Sequence, residues 1–273
     1  MKDNYEPTVT RTLEPHPVRP RRVWTVLRLA RALGVGVLAG LGAGAVGGAG
    51  ARLAMRISGA MTGPECARLV TENGNDCGVV TPDGTLFLVI FGAMLFGIGG
   101  GAVYASLQPW LARFGRRRGL VFGLLLFAIG GTIIVDSGNE DFHRFGTPVI
   151  NVLVFFLLFP LFGVVVANVH DRLDRRFPKF PPAPGTRLAS LTTIAYIVVI
   201  APAAISLFAT VGLGGRNIFL PAAALAALGL PPLAHHELHT GRNRRRAVAL
   251  AILASIPYAI GAVITARSVI EIL

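Results

Sequence analysis

A stretch of about twenty predominantly apolar residues constrains a chain more than any other local feature. It is long enough to cross roughly 30 Å of hydrocarbon, and within hydrocarbon only a helix or a closed barrel satisfies its own backbone. This sequence contains seven such runs, at about 32–54, 85–107, 119–135, 149–169, 189–211, 218–234 and 247–266. The predicted fold is therefore all-α: a polytopic transmembrane helix bundle of about seven spans occupying 32–273. The sixth run has Pro221 at its start and Pro231 and Pro232 near its end, which leaves a full span and a re-entrant half-span both open. Residues 1–31 are polar, basic and proline-bearing (Pro7, Pro15, Pro17, Pro20) and read as a disordered tail, with no cleavable signal peptide ahead of the first run.

Charge sets the expected orientation. Only 15% of residues are charged, against about 25% in soluble domains. The 26 basic residues, all arginine except Lys2 and Lys179, outnumber 14 acidic ones. Such an excess can mark a nucleic-acid binder, but here the arginines fall in short clusters between apolar runs, so no nucleic acid is expected. Twenty basic residues lie in 1–31, 112–118, 170–188 and 235–246, and six lie in the alternate segments. Because cytoplasmic loops carry the Lys and Arg excess, the N-terminus is predicted inside and the C-terminus outside. The expected partners are the lipid bilayer and, on the cytoplasmic face, anionic headgroups.

The first run reads GVGVLAGLGAGAVGGAGARLAMR over 34–56. Gly36, Gly40, Gly44 and Gly48 repeat every fourth residue, the small-residue spacing that lets two helix backbones touch where lipid offers no hydrophobic drive to associate. Ala93, Gly97 and Gly101 in the second run supply a matching row, and Gly119 and Gly123 another in the third. The first two helices are expected to pack closely on each other.

Arg52 and Arg56 extend the glycine row past its last member. Two readings stand: snorkelling to headgroups at the outer boundary, or an anion or ion-pair site with carboxylates of the following loop, chiefly Asp76 and Asp83. That loop, ISGAMTGPECARLVTENGNDCGVVTPDGT, carries the chain's only cysteines, Cys66 and Cys77. On an oxidising side, with a turn-forming Asn-Gly between them, they are expected to form a disulfide.

Catalytic patterns are sparse. HHELH at 235–239 would bring His235, His236 and His239 to neighbouring helix positions, a weak candidate for metal, but it is not the HExxH arrangement. There is no P-loop and no GxSxG elbow, and GIGGG at 97–101 lies inside an apolar run. No catalytic residue and no cofactor is expected. Asn151 is the most polar residue at depth, and Pro160, Pro202 and Pro257 fall near the middle of spans, where proline kinks a helix.

GARLAMR at 50–56, DGTLFLVIFGAMLFGIGGGAVY at 83–104, LQPWL at 107–111 and RGLVFGLLLF at 118–127 resemble segments of uncharacterised multi-pass membrane proteins of actinobacteria. The resemblance covers about the first 130 residues and implies a bacterial plasma-membrane protein, without implying an activity. A non-catalytic accessory or interaction role is the expected function. A transporter of small solutes or lipids is the alternative, and a membrane-embedded enzyme the third reading.

Overall fold

The computed structural model describes residues 21–72, 74–177, 219–240 and 244–273. Among these the chain is all helical apart from one isolated β-bridge, Val70 to Asp76. Helix α1 is Arg21–Thr62, followed by a short 3-10 segment, Gly63–Arg68. Helices α2 (Pro82–Phe91) and α3 (Ile98–Leu111) are joined by a π-helical segment, Gly92–Gly97. Then come α4 (Arg118–Ile134), the single turn α5 (Asp141–Arg144), α6 (Pro148–Arg176), α7 (Phe219–Thr240) and α8 (Arg244–Ile272).

Four helical stretches among the described residues are long and apolar enough to cross a membrane: Arg31–Arg68, Pro82–Ile134, Pro148–Arg176 and Arg244–Ile272. The second is 53 residues long and is bent at Gly115, whose φ of 53° and ψ of −122° lie outside the helical region. The bend folds α4 back, so that Val80 and Ile134 line one cavity. The fifth predicted run, 189–211 with Pro202, lies outside the described residues. The sixth forms α7, a helix that continues through Pro231 and Pro232.

Two helix starts differ from the sequence reading. Residues 21–31, assigned to the tail, are already helical, so α1 is 42 residues long and about 63 Å by its rise, roughly twice the hydrocarbon thickness. Arginine is a good helix former, and the side chain of Arg31 is tied down at the far end of the bundle. The second run, expected from about 85, starts earlier, with Pro82, Asp83 and Gly84 forming the first turn of α2. Thr81 caps it by accepting a hydrogen bond from the Gly84 amide at 3.2 Å, with Pro82 in the first helical positions.

Glycine seams hold the bundle together. Gly36, Gly40, Gly44 and Gly48 lie against Gly101, Gly97, Gly92 and Leu88 of the antiparallel α2–α3 rod. A Cβ on Gly44 would fall 2.7 Å from the Gly97 Cα and 2.8 Å from that of Ala93. The partners on α1 step by four, but those on α2–α3 step by four, five and four. A five-residue step in an α-helix would rotate Gly92 about 140° away from Gly97. The wider π turn takes up the extra residue and returns both to one face. A second seam joins α4 to α6, where a Cβ on Gly119 would fall 2.7 Å from the Gly163 carbonyl oxygen and one on Gly123 2.6 Å from the Pro160 Cα. A third joins α4 to α8, where Gly131 faces Thr265 and Gly261 faces Ala128.

Both ends of the bundle are identified by contacts. At one end Arg31 pairs with Asp174 at 2.6 Å and Arg118 pairs with Asp171. At the other lie the disulfide loop and the end of α8, where Ser137 donates to Glu271 at 2.8 Å. The start of α1 and the end of α8 are thus at opposite ends.

Candidate functional site

The loop between α1 and α2 is closed by its own local contacts. Cys66 and Cys77 are joined by a disulfide across a sequence separation of 11. Inside that ring the Cys77 amide donates to the Leu69 carbonyl at 3.0 Å and the Thr71 amide to that of Asn75 at 2.8 Å, with Gly74 at φ +76° supplying the turn. The base of the ring sits on α1 where glycine meets glycine: a Cβ on Gly59 would fall 2.7 Å from the Gly78 Cα. Gly78 itself has φ +67°, a conformation a side chain would strain.

This seating decides what Arg52 and Arg56 do. Arg52 Nη2 donates to the Val79 carbonyl at 2.9 Å, and Arg56 Nη1 donates to the Gly78 carbonyl. The expected ion pairs with Asp76 and Asp83 do not form. The disulfide and the Val70–Asp76 bridge turn the carbonyls of 78 and 79 toward α1. Asp83 is kept in the first turn of α2, where the helix dipole favours an acidic group. Asp76 remains exposed. The two arginines are a clamp on main-chain oxygens.

Beyond the clamp lies a cavity of about 180 Å³ bounded by the end of α1, the loop, the end of α4, α5 and the start of α6. Asn151 reaches it, but at this end of the bundle and not at its centre. Its Oδ1 accepts from Ser58 Oγ at 2.6 Å, and its Nδ2 donates to the Phe142 and Phe145 carbonyls at 3.2 and 2.5 Å. Asn151 therefore fastens the α5 turn to α1 and α6. The loop is tied in by the Glu72 amide, which donates to Asp141 Oδ1 at 3.0 Å, and by the Gly146 amide, which donates to Thr62 Oγ1 at 2.8 Å. Asn151→Leu strands the Phe142 and Phe145 carbonyls in a buried site, while the Ser58 hydroxyl keeps the Ala54 carbonyl at 3.2 Å. The substitution is expected to cost about 2 kcal/mol or more, read as a lower thermal midpoint in detergent. Ser58→Ala should cost clearly less, and equal tolerance of both would remove this role.

The histidine cluster resolves differently. His235 meets Trp110 edge-on at 6.4 Å, and the side chains of His236 and His239 lie outside the described residues. Among the described residues no group of three or more metal-ligating side chains gathers. At the arginine-rich end, Arg31 Nη2 also donates to the Asp174 and Phe177 carbonyls, each at 3.0 Å, capping the end of α6. Asp171 and Asp174 were unremarkable in the sequence, where 170–188 registers only as a basic segment. Tyr104 is fully buried between Phe122 and His170, with ring centroids 5.0 and 5.2 Å away. No protein-family model, curated protein or solved structure matches the chain.

Proposed function

We propose that the chain is a multi-pass protein of a bacterial plasma membrane, with seven passes, a cytoplasmic N-terminus and an outside C-terminus, serving a non-catalytic accessory or interaction role. The observation that carries this reading is the set of glycine seams, in which four glycines of α1 spaced four residues apart rest on the backbone of α2–α3 and α4 rests likewise on α6 and α8. Helices in backbone contact along that length form a fixed frame, whereas alternating access needs elements that move against one another. The disulfide fits an oxidising exterior, and the Arg31–Asp174 and Arg118–Asp171 end carries the basic clusters suited to anionic lipid headgroups. The resemblance to actinobacterial membrane proteins agrees with this placement. Transport is the second reading, favoured by the cavity and by Pro160 and Pro257 within α6 and α8.

Topology is tested by reporter fusions. A cytoplasm-dependent reporter is expected to be active after Arg116 and inactive after Leu273, and the reverse pattern would overturn the orientation. The fixed frame is tested with a membrane-impermeant thiol reagent on Ala43→Cys. Ala43 is fully buried, and the native cysteines are both engaged in the disulfide. The new thiol should stay unlabelled from either side. Labelling in native membranes would mean that a water path opens between the helices, and transport would then be the better reading.

A further inference from the structure

Two guanidiniums, Arg52 and Arg56, and two carboxylates, Asp76 and Asp141, line the cavity under the disulfide loop, and neither arginine pairs with either carboxylate. Arg52 and Arg56 are each held by one loop carbonyl, and among the described residues neither lies within 4 Å of an acidic oxygen. Arg52 Nε is buried and has no hydrogen-bond partner. Asp141 is positioned by the Glu72 amide on one oxygen. The rest of the lining combines apolar side chains, among them Ile134, Phe142 and Phe155, with polar ones such as Asn139 and Asn151.

We propose that this cavity is a binding site for a small zwitterion with an apolar body, its carboxylate or phosphate on Arg52 and Arg56 and its ammonium on Asp141. The clamp is what makes the arginines suitable. Being i, i+4 on one helix, they present neighbouring guanidiniums, and the loop carbonyls fix one N–H of each, leaving the remaining donors for an anionic group. A simple anion would leave Asp76 and Asp141 unmatched, and a simple amine would leave both arginines unmatched. A ligand with both charges matches the wall while its body covers the two phenylalanines. The volume, about 180 Å³, is many times the roughly 10–15 Å³ that admits one water. That suits an aromatic amino acid or the ethanolamine-phosphate headgroup of a lipid. The inference stands on the cavity and goes beyond the accessory reading, because loss of binding would leave the topology and thiol-labelling results unchanged.

The test is calorimetric titration of the purified full-length protein in detergent with L-phenylalanine, phenylpropionate, phenethylamine, dihexanoyl phosphatidylethanolamine and dihexanoyl phosphatidylglycerol. One of the two zwitterions is expected to bind on the order of tenfold or more tighter than its singly charged relatives. Binding of phenylalanine identifies a free solute as the source, and binding of the ethanolamine lipid alone identifies a headgroup. Arg56→Gln and Asp141→Asn should each weaken that binding on the order of tenfold. Should either fail to fold, Met55→Trp serves instead. Met55 lines the cavity and is half exposed, so the indole should occupy part of the cavity and abolish binding. The proposal is overturned if neither zwitterion binds at millimolar concentration. It is equally overturned if a singly charged relative binds as tightly, or if binding survives in the folded variants.

Discussion

Gly44→Leu is expected to be the most damaging single substitution in the bundle. The first atom added would fall 2.7 Å from the Gly97 Cα and 2.8 Å from the Ala93 Cα. These are main-chain neighbours in the middle of a helical rod, so neither can swing aside as a flexible side chain would. The helices must separate, and with them the contacts at Gly40 and Gly48 on either side. Overpacking a well-filled site costs about 1–3 kcal/mol, and here a branched side chain meets backbone, so a loss at or above the top of that range is expected. Gly42→Leu and Gly47→Leu are the controls. Nothing lies within 4 Å of a Cβ at Gly42, and only Phe162 Cδ2, at 4.0 Å, approaches one at Gly47. Replacing an unencumbered helical glycine recovers up to about 1 kcal/mol of propensity, so these two should be neutral or slightly stabilising. Thermal unfolding in detergent separates the cases, and three equal midpoints would show that close packing is not what the glycine row provides.

The second large effect is expected at the disulfide. Closing a loop with a sequence separation of 11 restricts the unfolded chain by about 3 kcal/mol. Its removal should be felt locally first, because the ring turns the Gly78 and Val79 carbonyls toward Arg56 and Arg52. In Cys66→Ser/Cys77→Ser, or after reduction, trypsin should cut after the exposed Arg68 much faster than in the oxidised protein. Cleavage after Arg31, at the opposite end of the bundle, should not change, since its bonds to Asp174 and Phe177 do not depend on the loop. An unchanged rate at Arg68 would mean that the arginine clamp and the amide bonds to Asp141 and Thr62 hold the loop without the disulfide.

Tight packing at the seams also clarifies the π segment. Helix α1 presents its glycines at a constant four-residue step, whereas the opposing rod has Gly92 and Gly97 five apart. One π turn reconciles the two. Irregular helix in an apolar run need not signal a moving part. Here it acts as a register correction between two helical rods in backbone contact.

The parts of this protein that the sequence by itself determined are those governed by short-range geometry. Apolar runs near 119–135, 149–169 and 247–266 became α4, α6 and α8 because spanning length and backbone hydrogen bonding depend only on local composition. A four-residue glycine step names a helix face without reference to anything else in the fold. Tertiary structure alone decided the rest. Ala93 was the legible member of the second row, but Gly92 joined it through a π turn that exists only against α1. Arg52 and Arg56 had several carboxylates within reach on paper, and the loop's closure offered them carbonyls instead. Asp174 and Asp141 acquired their roles from partners at Arg31 and Glu72, 143 and 69 residues away in the chain. A polar side chain near a helix end bonds to whichever group loop closure brings within about 3 Å. That choice depends on the whole path of the chain, and residue type and spacing do not encode it.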